Sequence, residues 1–164
     1  MTSFLLLTNT GKKDYTGCNL LKLEYFKDDE SVDFIYCNSG APGRQNFRIG
    51  TDSWAGSLEP LPEGQWYVND IEWADGIDNF IGAAYTDGIG PVTVPISYTG
   101  PDSTERSAIE IHIDWNHRYS PGTAGCIGLH SVQDMERLID WLRDTDPREL
   151  YVDWGLGTCP NSVE

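Results

Sequence analysis

Basic residues are scarce. Lysine and arginine together number 11 against 26 aspartates and glutamates, a formal charge of −15. A chain with so little positive charge has no field with which to gather phosphate backbones or anionic lipid headgroups, so neither nucleic acid nor a membrane is an expected partner. Also missing is any apolar run near the roughly 20 residues needed to span a bilayer. The segment Met1 to Asp14 lacks the basic start, long apolar centre and small-residue cleavage site of a secretory signal. Its Phe4-Leu5-Leu6-Leu7 run reads as a first strand. The expectation is synthesis in the cytoplasm without a signal peptide, with something else providing carriage if the protein acts outside.

Cysteine is sparse too. The four thiols, Cys18, Cys37, Cys126 and Cys159, form no Cys-x-x-Cys pair and no metal-ligand spacing. A disulfide bridge among Cys18, Cys37 and Cys159 has no support in the spacing, and structural thiols are the default in a reducing compartment. A zinc peptidase drawn from His112, Asp114, His117 and His130 matches none of the established zinc motifs. No metal or other cofactor is expected, and no repeat, heptad or low-complexity tract interrupts the chain.

What is present suits one mainly β (α+β) domain over residues 1–164, with β-sandwich or mixed sheets and one main C-terminal helix. Short strands are expected at 3–8, 19–26 and 31–37 as an antiparallel meander, then at 65–68, 81–86 and 91–99. Pro95 suggests an edge strand or a bulge. A Gly-, Pro- and Ser-rich loop fills 38–64. Ser131 begins a helix to about Arg143, with Val132, Met135, Leu138, Ile139 and Leu142 at helical spacing. A last strand follows at 149–154.

The chemistry concentrates between Ile109 and Leu129. Ile109, Ile111 and Ile113 alternate on one face of a strand, which places Glu110, His112 and Asp114 on the other. After the intervening residues 113–125 comes Cys126, between Gly125 and Ile127-Gly128. A thiol of ordinary pKa, about 8.5, is only a few per cent thiolate at pH 7, so a cysteine nucleophile needs a base. His112 is that candidate base, and backbone N–H groups around Gly125 and Cys126 are the candidate oxyanion donors. Taken singly, His112 reads as a half-buried strand residue and Cys126 as a small hydrophobe. Together with the flanking glycines they supply the three parts of a nucleophilic site. Around them, Thr123 is a candidate to orient the turn, Asp114 to steer the imidazole, Arg118 to clamp a carboxylate and His130 to cap the site. The start of the helix, five residues after Cys126, is a further candidate to stabilise thiolate.

With His112 on its strand, Thr123-Ala124-Gly125-Cys126, the upstream Ser39-Gly40 turn and Pro62-Glu63-Gly64 leading into a strand, the chain resembles the L,D-transpeptidase catalytic domain, the YkuD family, over roughly residues 35–143. The resemblance implies a mostly-β catalytic fold and a cysteine acyl-enzyme formed with peptidoglycan stem peptides. The bond attacked would join the third, diamino acid residue to the terminal D-alanine. Passage of the acyl group to a second stem's amine gives a cross-link, and passage to water gives a trimmed stem. Ala124 stands where many members have a second histidine, and Gly128 where many have arginine. Short members without a signal peptide include phage lysins and exported antibacterial effectors, so an L,D-peptidase reaching the wall after lysis or by export is the expected role. Its partners would be stem peptides, and an immunity protein if it is an effector. Trp115, with Trp54, Trp66 and Trp73, is a candidate surface for a saccharide or stem peptide. The competing reading is a domain that grips stem peptides or an immunity partner without turnover.

Overall fold

The computed structural model describes residues 2–73, 92–114 and 125–159. The chain opens with a meander of β1 (Ser3–Lys13), β2 (Asn19–Lys27) and β3 (Glu30–Ser39), each antiparallel to the last. β4 (Gly64–Val68), the two-residue β5 (Glu72–Trp73), β6 (Val92–Gly100), β7 (Ile109–Ile113) and β8 (Ile127–Leu129) follow. Short 3-10 helices at Pro42–Arg44 and Gly50–Asp52 precede β4, and the helix α1 (Val132–Thr145) and β9 (Glu149–Asp153) complete the described elements.

The strands form one sheet in the order β4-β9-β1-β2-β3-β8-β7-β6-β5, and β4 also pairs with β6, which curls the sheet into a barrel-like sandwich. Its interior holds the inward alternates of the strands, including Leu5, Leu7, Leu21, Leu23, Ile111, Ile127, Leu150 and Val152, together with Met135 and Leu138 of α1. The four-residue apolar run of β1 is explained by both faces being covered. Leu5 and Leu7 enter the main core, while Phe4 and Leu6 form an outer cluster in which the Phe4 and Phe26 rings stack at 4.8 Å. The helix begins where Ser131 accepts a 3.1 Å hydrogen bond from the Asp134 N–H, the N-cap bond that its serine suggests. Its Trp141 stacks on Tyr25 at 5.3 Å and donates its indole N–H to Asp33.

The expected meander, the strands near 65–68 and 149–154, and the helix are all found, each with at least one end shifted, by up to five residues. The strand expected at 81–86 lies outside the described residues. Pro95 does not mark an edge. β6 pairs with β7 on one side and with β5 then β4 on the other, and Pro95 sits at the seam between those two partners. Its carbonyl accepts from the Asn69 N–H just past the end of β4, so its missing N–H faces the same gap in the ladder.

The Pro62-Glu63-Gly64 turn is an anchor. Glu63 is fully buried, and its carboxylate accepts from the N–H groups of Trp154, Leu156 and Thr158, each at 2.8 Å, and from the Thr158 hydroxyl at 2.7 Å. Burial alone would raise its pKa, but these donors outweigh it and hold the carboxyl below the ordinary glutamate range.

Candidate functional site

Three strands bring the site together. β7 and β8 run parallel with His112 opposite Gly128, and β3 runs antiparallel to β8 with Asn38 opposite the same glycine. Opposed residues share a face of a sheet, so His112, Gly128 and Asn38 form a row on the outer face. Their neighbours Ile111, Ile113, Ile127, Leu129 and Cys37 point into the core. Gly128, buried and without a side chain, stands between the imidazole and the amide in this row. Asn38 donates to His130 Nε2 at 3.4 Å and to an Asp114 carboxylate oxygen at 3.5 Å, so both sequence-predicted polar residues belong to this face.

His112 is 8% exposed, and its Nδ1 lies 3.0 Å from the carbonyl of Ile113. A carbonyl only accepts, so Nδ1 carries the proton and Nε2 carries the lone pair that a base needs. A backbone carbonyl therefore orients the ring in the role anticipated for Asp114, whose own backbone N–H donates to Leu129 at 2.8 Å.

Cys126 immediately precedes β8, in phase with Gly128 and hence on the face of His112. Its sulfur accepts from the Glu110 N–H at 3.4 Å, which ties it to β7 two residues before the histidine. Gly125 has φ +119°, and a Cβ there would fall 1.6 Å from Nη2 of Arg106, so backbone conformation and close approach both demand glycine. The Gly125 carbonyl accepts from the Ser39 hydroxyl at 3.0 Å, and the same hydroxyl accepts from the Leu61 N–H at 3.1 Å. Because the peptide is planar and trans, a carbonyl held by Ser39 aims the Cys126 N–H the opposite way.

Burial pushes the Cys126 thiol above its ordinary pKa, and the Glu110 charge adds to that. The Glu110 N–H and the Arg106 charge oppose it. The net upward shift leaves a neutral thiol at rest, so attack requires a base that removes the proton. β8 lies between Cys126 and the start of α1.

Arg106 is a site residue that sequence reasoning missed. Only 6% exposed, it donates through Nη1 to Ser53, Ser57 and the Pro60 carbonyl, and through Nη2 to the Glu59 carbonyl at 2.9 Å. An arginine amid polar loop residues ordinarily reads as solvated; the sole hint is a 53–60 loop rich in hydroxyls and carbonyls that require donors.

Thr123, Arg118, Trp115 and His117 lie outside the described residues. Of the other tryptophans, Trp66 is a core residue bonded to the Pro62 carbonyl and unsuited to stacking a ligand, whereas Trp54 is exposed with the Arg48 guanidinium 4.9 Å over its ring. Trp73 packs against the margin of the core. All four cysteines are free thiols, with Cys18 and Cys37 buried. Among the described residues, Glu63, Asp153 and Cys159 bring three ligand-type atoms together, yet the Glu63 oxygens already accept four hydrogen bonds.

A family model for the L,D-transpeptidase catalytic domain, YkuD, matches residues 19–150. No curated protein matches the chain. The matched span runs from the start of β2 into β9 and so contains the His112 strand, the Gly125-Cys126 turn, Ser39 and Arg106.

Proposed function

Because the chain belongs to the YkuD family, whose members are cysteine L,D-transpeptidases acting on peptidoglycan, we propose that it is an L,D-peptidase working through a thioester on Cys126. The observation that carries this reading is His112 fixed by the Ile113 carbonyl, with Nε2 left as base on the face that also holds the Cys126 sulfur. Sγ attacks the carbonyl between the diamino acid and the terminal D-alanine while its proton passes to Nε2. The oxyanion turns towards the Cys126 N–H, a kind of donor typically worth about 2.7–4 kcal/mol in the transition state. Collapse returns the proton from His112 to the departing amine and leaves the acyl-thioester.

Water completes the reaction, giving up a proton to His112 as it attacks and releasing a stem carboxylate and the thiol. The polar groups of Asn38, Asp114 and His130 on the face of the imidazole favour a water there. A stem amine in place of that water would make this chain a transpeptidase. In this reading the protein reaches the wall after lysis or by dedicated export, and an effector role would add an immunity protein as partner.

Muropeptide mass spectrometry with the wild type and Cys126→Ala tests the proposal. Loss of D-alanine, or scission of a link, by the wild type alone is expected. New cross-links would instead identify a transferase. Intact stems in both samples, with no acyl adduct on the wild type, would overturn catalysis on these substrates and favour a binding role.

A further inference from the structure

We propose that Arg106 is the positioning residue of the nucleophile turn, its buried guanidinium fixing the Gly125-Cys126 backbone and supplying the positive charge against which the thiol ionises. The first part rests on the anchoring of the fork. Nη1 reaches Ser53 Oγ at 3.0 Å, Ser57 Oγ at 3.3 Å and the Pro60 carbonyl at 3.2 Å, while Nη2 holds the Glu59 carbonyl at 2.9 Å. All four partners lie within residues 53–60. That same Nη2 occupies the space a Gly125 side chain would take, so the guanidinium is wedged between the 53–60 loop and the nucleophile turn. Ser39 makes a second tie to the nucleophile turn, joining Leu61, just past that loop, to Gly125.

The second part rests on burial and on the neighbouring charges. Glu110 on β7 opposes ionisation of Cys126, and Arg106 favours it. His112 lies on the same face of β7, with Asp114 and His130 farther along it. From behind, Glu59 faces Arg106, but its carboxylate is engaged bidentately by Arg48 at 2.7 and 3.1 Å, which leaves its carbonyl to Arg106. The Arg106 charge is the smallest of the four influences on the Cys126 thiol, and the rigid planar fork lets one side chain act as both wedge and charge.

Naming Cys126 as the nucleophile rests on the proposed function, so the test reads the thiol without substrate. The pH dependence of Cys126 alkylation by iodoacetamide is followed by peptide mass spectrometry in the full chain, in the wild type, Arg106→Gln and Arg106→Lys, with folding checked by circular dichroism. Arg106→Gln is expected to move the profile to higher pH, with a rate at pH 7 about two- to threefold lower, and Arg106→Lys to recover most of that loss. A folded Arg106→Gln protein with the wild-type profile overturns the proposal. If Arg106→Gln does not fold, the Ser53→Ala/Ser57→Ala double variant decides: it keeps the charge but loosens the fork, so an upward move of the profile supports the proposal and an unchanged profile overturns it. A wild type inactive on every muropeptide would defeat the proposed function while leaving this measurement intact.

Discussion

Replacing Ser39 by alanine removes one oxygen that makes two hydrogen bonds in a fully buried position. The Leu61 N–H loses its 3.1 Å acceptor, and an N–H stranded in the interior costs about 1–3 kcal/mol. The 3.0 Å bond to the Gly125 carbonyl disappears as well, adding about 0.5–1.5 kcal/mol. The sum, about 1.5–4.5 kcal/mol, is a large share of the stability of an ordinary domain. Urea unfolding at neutral pH should therefore show a midpoint about 1–2 M lower at unchanged slope, for a slope of about 2 kcal/mol per M. Turnover should fall further than stability requires, because the Gly125 carbonyl is what aims the Cys126 N–H. A loss under about 0.5 kcal/mol with an unaltered slope, or full activity in the folded variant, would refute Ser39 as the tie between the 61–64 turn and the nucleophile turn.

The Glu110→Gln variant keeps the N–H that reaches Cys126 but removes the charge that raises its pKa, so the alkylation profile of Cys126 should move to lower pH and the rate at pH 7 should rise. A slower rate would show that the carboxylate helps ionisation. Glu63 has a depressed folded-state pKa, so its contribution is fully present above the unfolded value of 4.5 and is lost as pH falls through the folded one. Glu63→Gln should flatten the decline of the urea midpoint between pH 6 and pH 3. At pH 7 it should cost about 2–5 kcal/mol, since an amide nitrogen cannot accept from two of the four donors around it. An equally steep acid decline in the variant would place the pH dependence on other groups, with Glu59 the next to examine.

Elements that announce themselves locally were legible in the chain. The alternation Ile109-Ile111-Ile113 defines β7 and turns His112 outward, and the apolar stripe from Val132 to Leu142 defines α1 with Ser131 at its start. β8 was not legible, because Ile127-Gly128-Leu129 reads as part of a glycine-rich loop. It is a strand because β3 and β7 flank it and take up its backbone on both sides. β1 runs on to Lys13, through Thr10-Gly11 residues that carry turn chemistry, because Asn19 pairs with Lys13 beyond a register shift.

At the site, the same distinction separates residues that perform chemistry from those that hold them in place. Cys126 and His112 stand out because their types and their immediate neighbours are unusual for a plain loop and a plain strand. Ser39 and Arg106 act across 86 and 47 residues of sequence, and nothing beside them in the chain registers that distance. What the sequence does carry is the complement: Gly125 is fixed as glycine because Arg106 fills its side-chain space. A glycine beside a candidate nucleophile therefore implies some other group pressed against the backbone at that point. In this chain the group at Gly125 is a buried guanidinium, held by a loop that its own composition presents as unstructured.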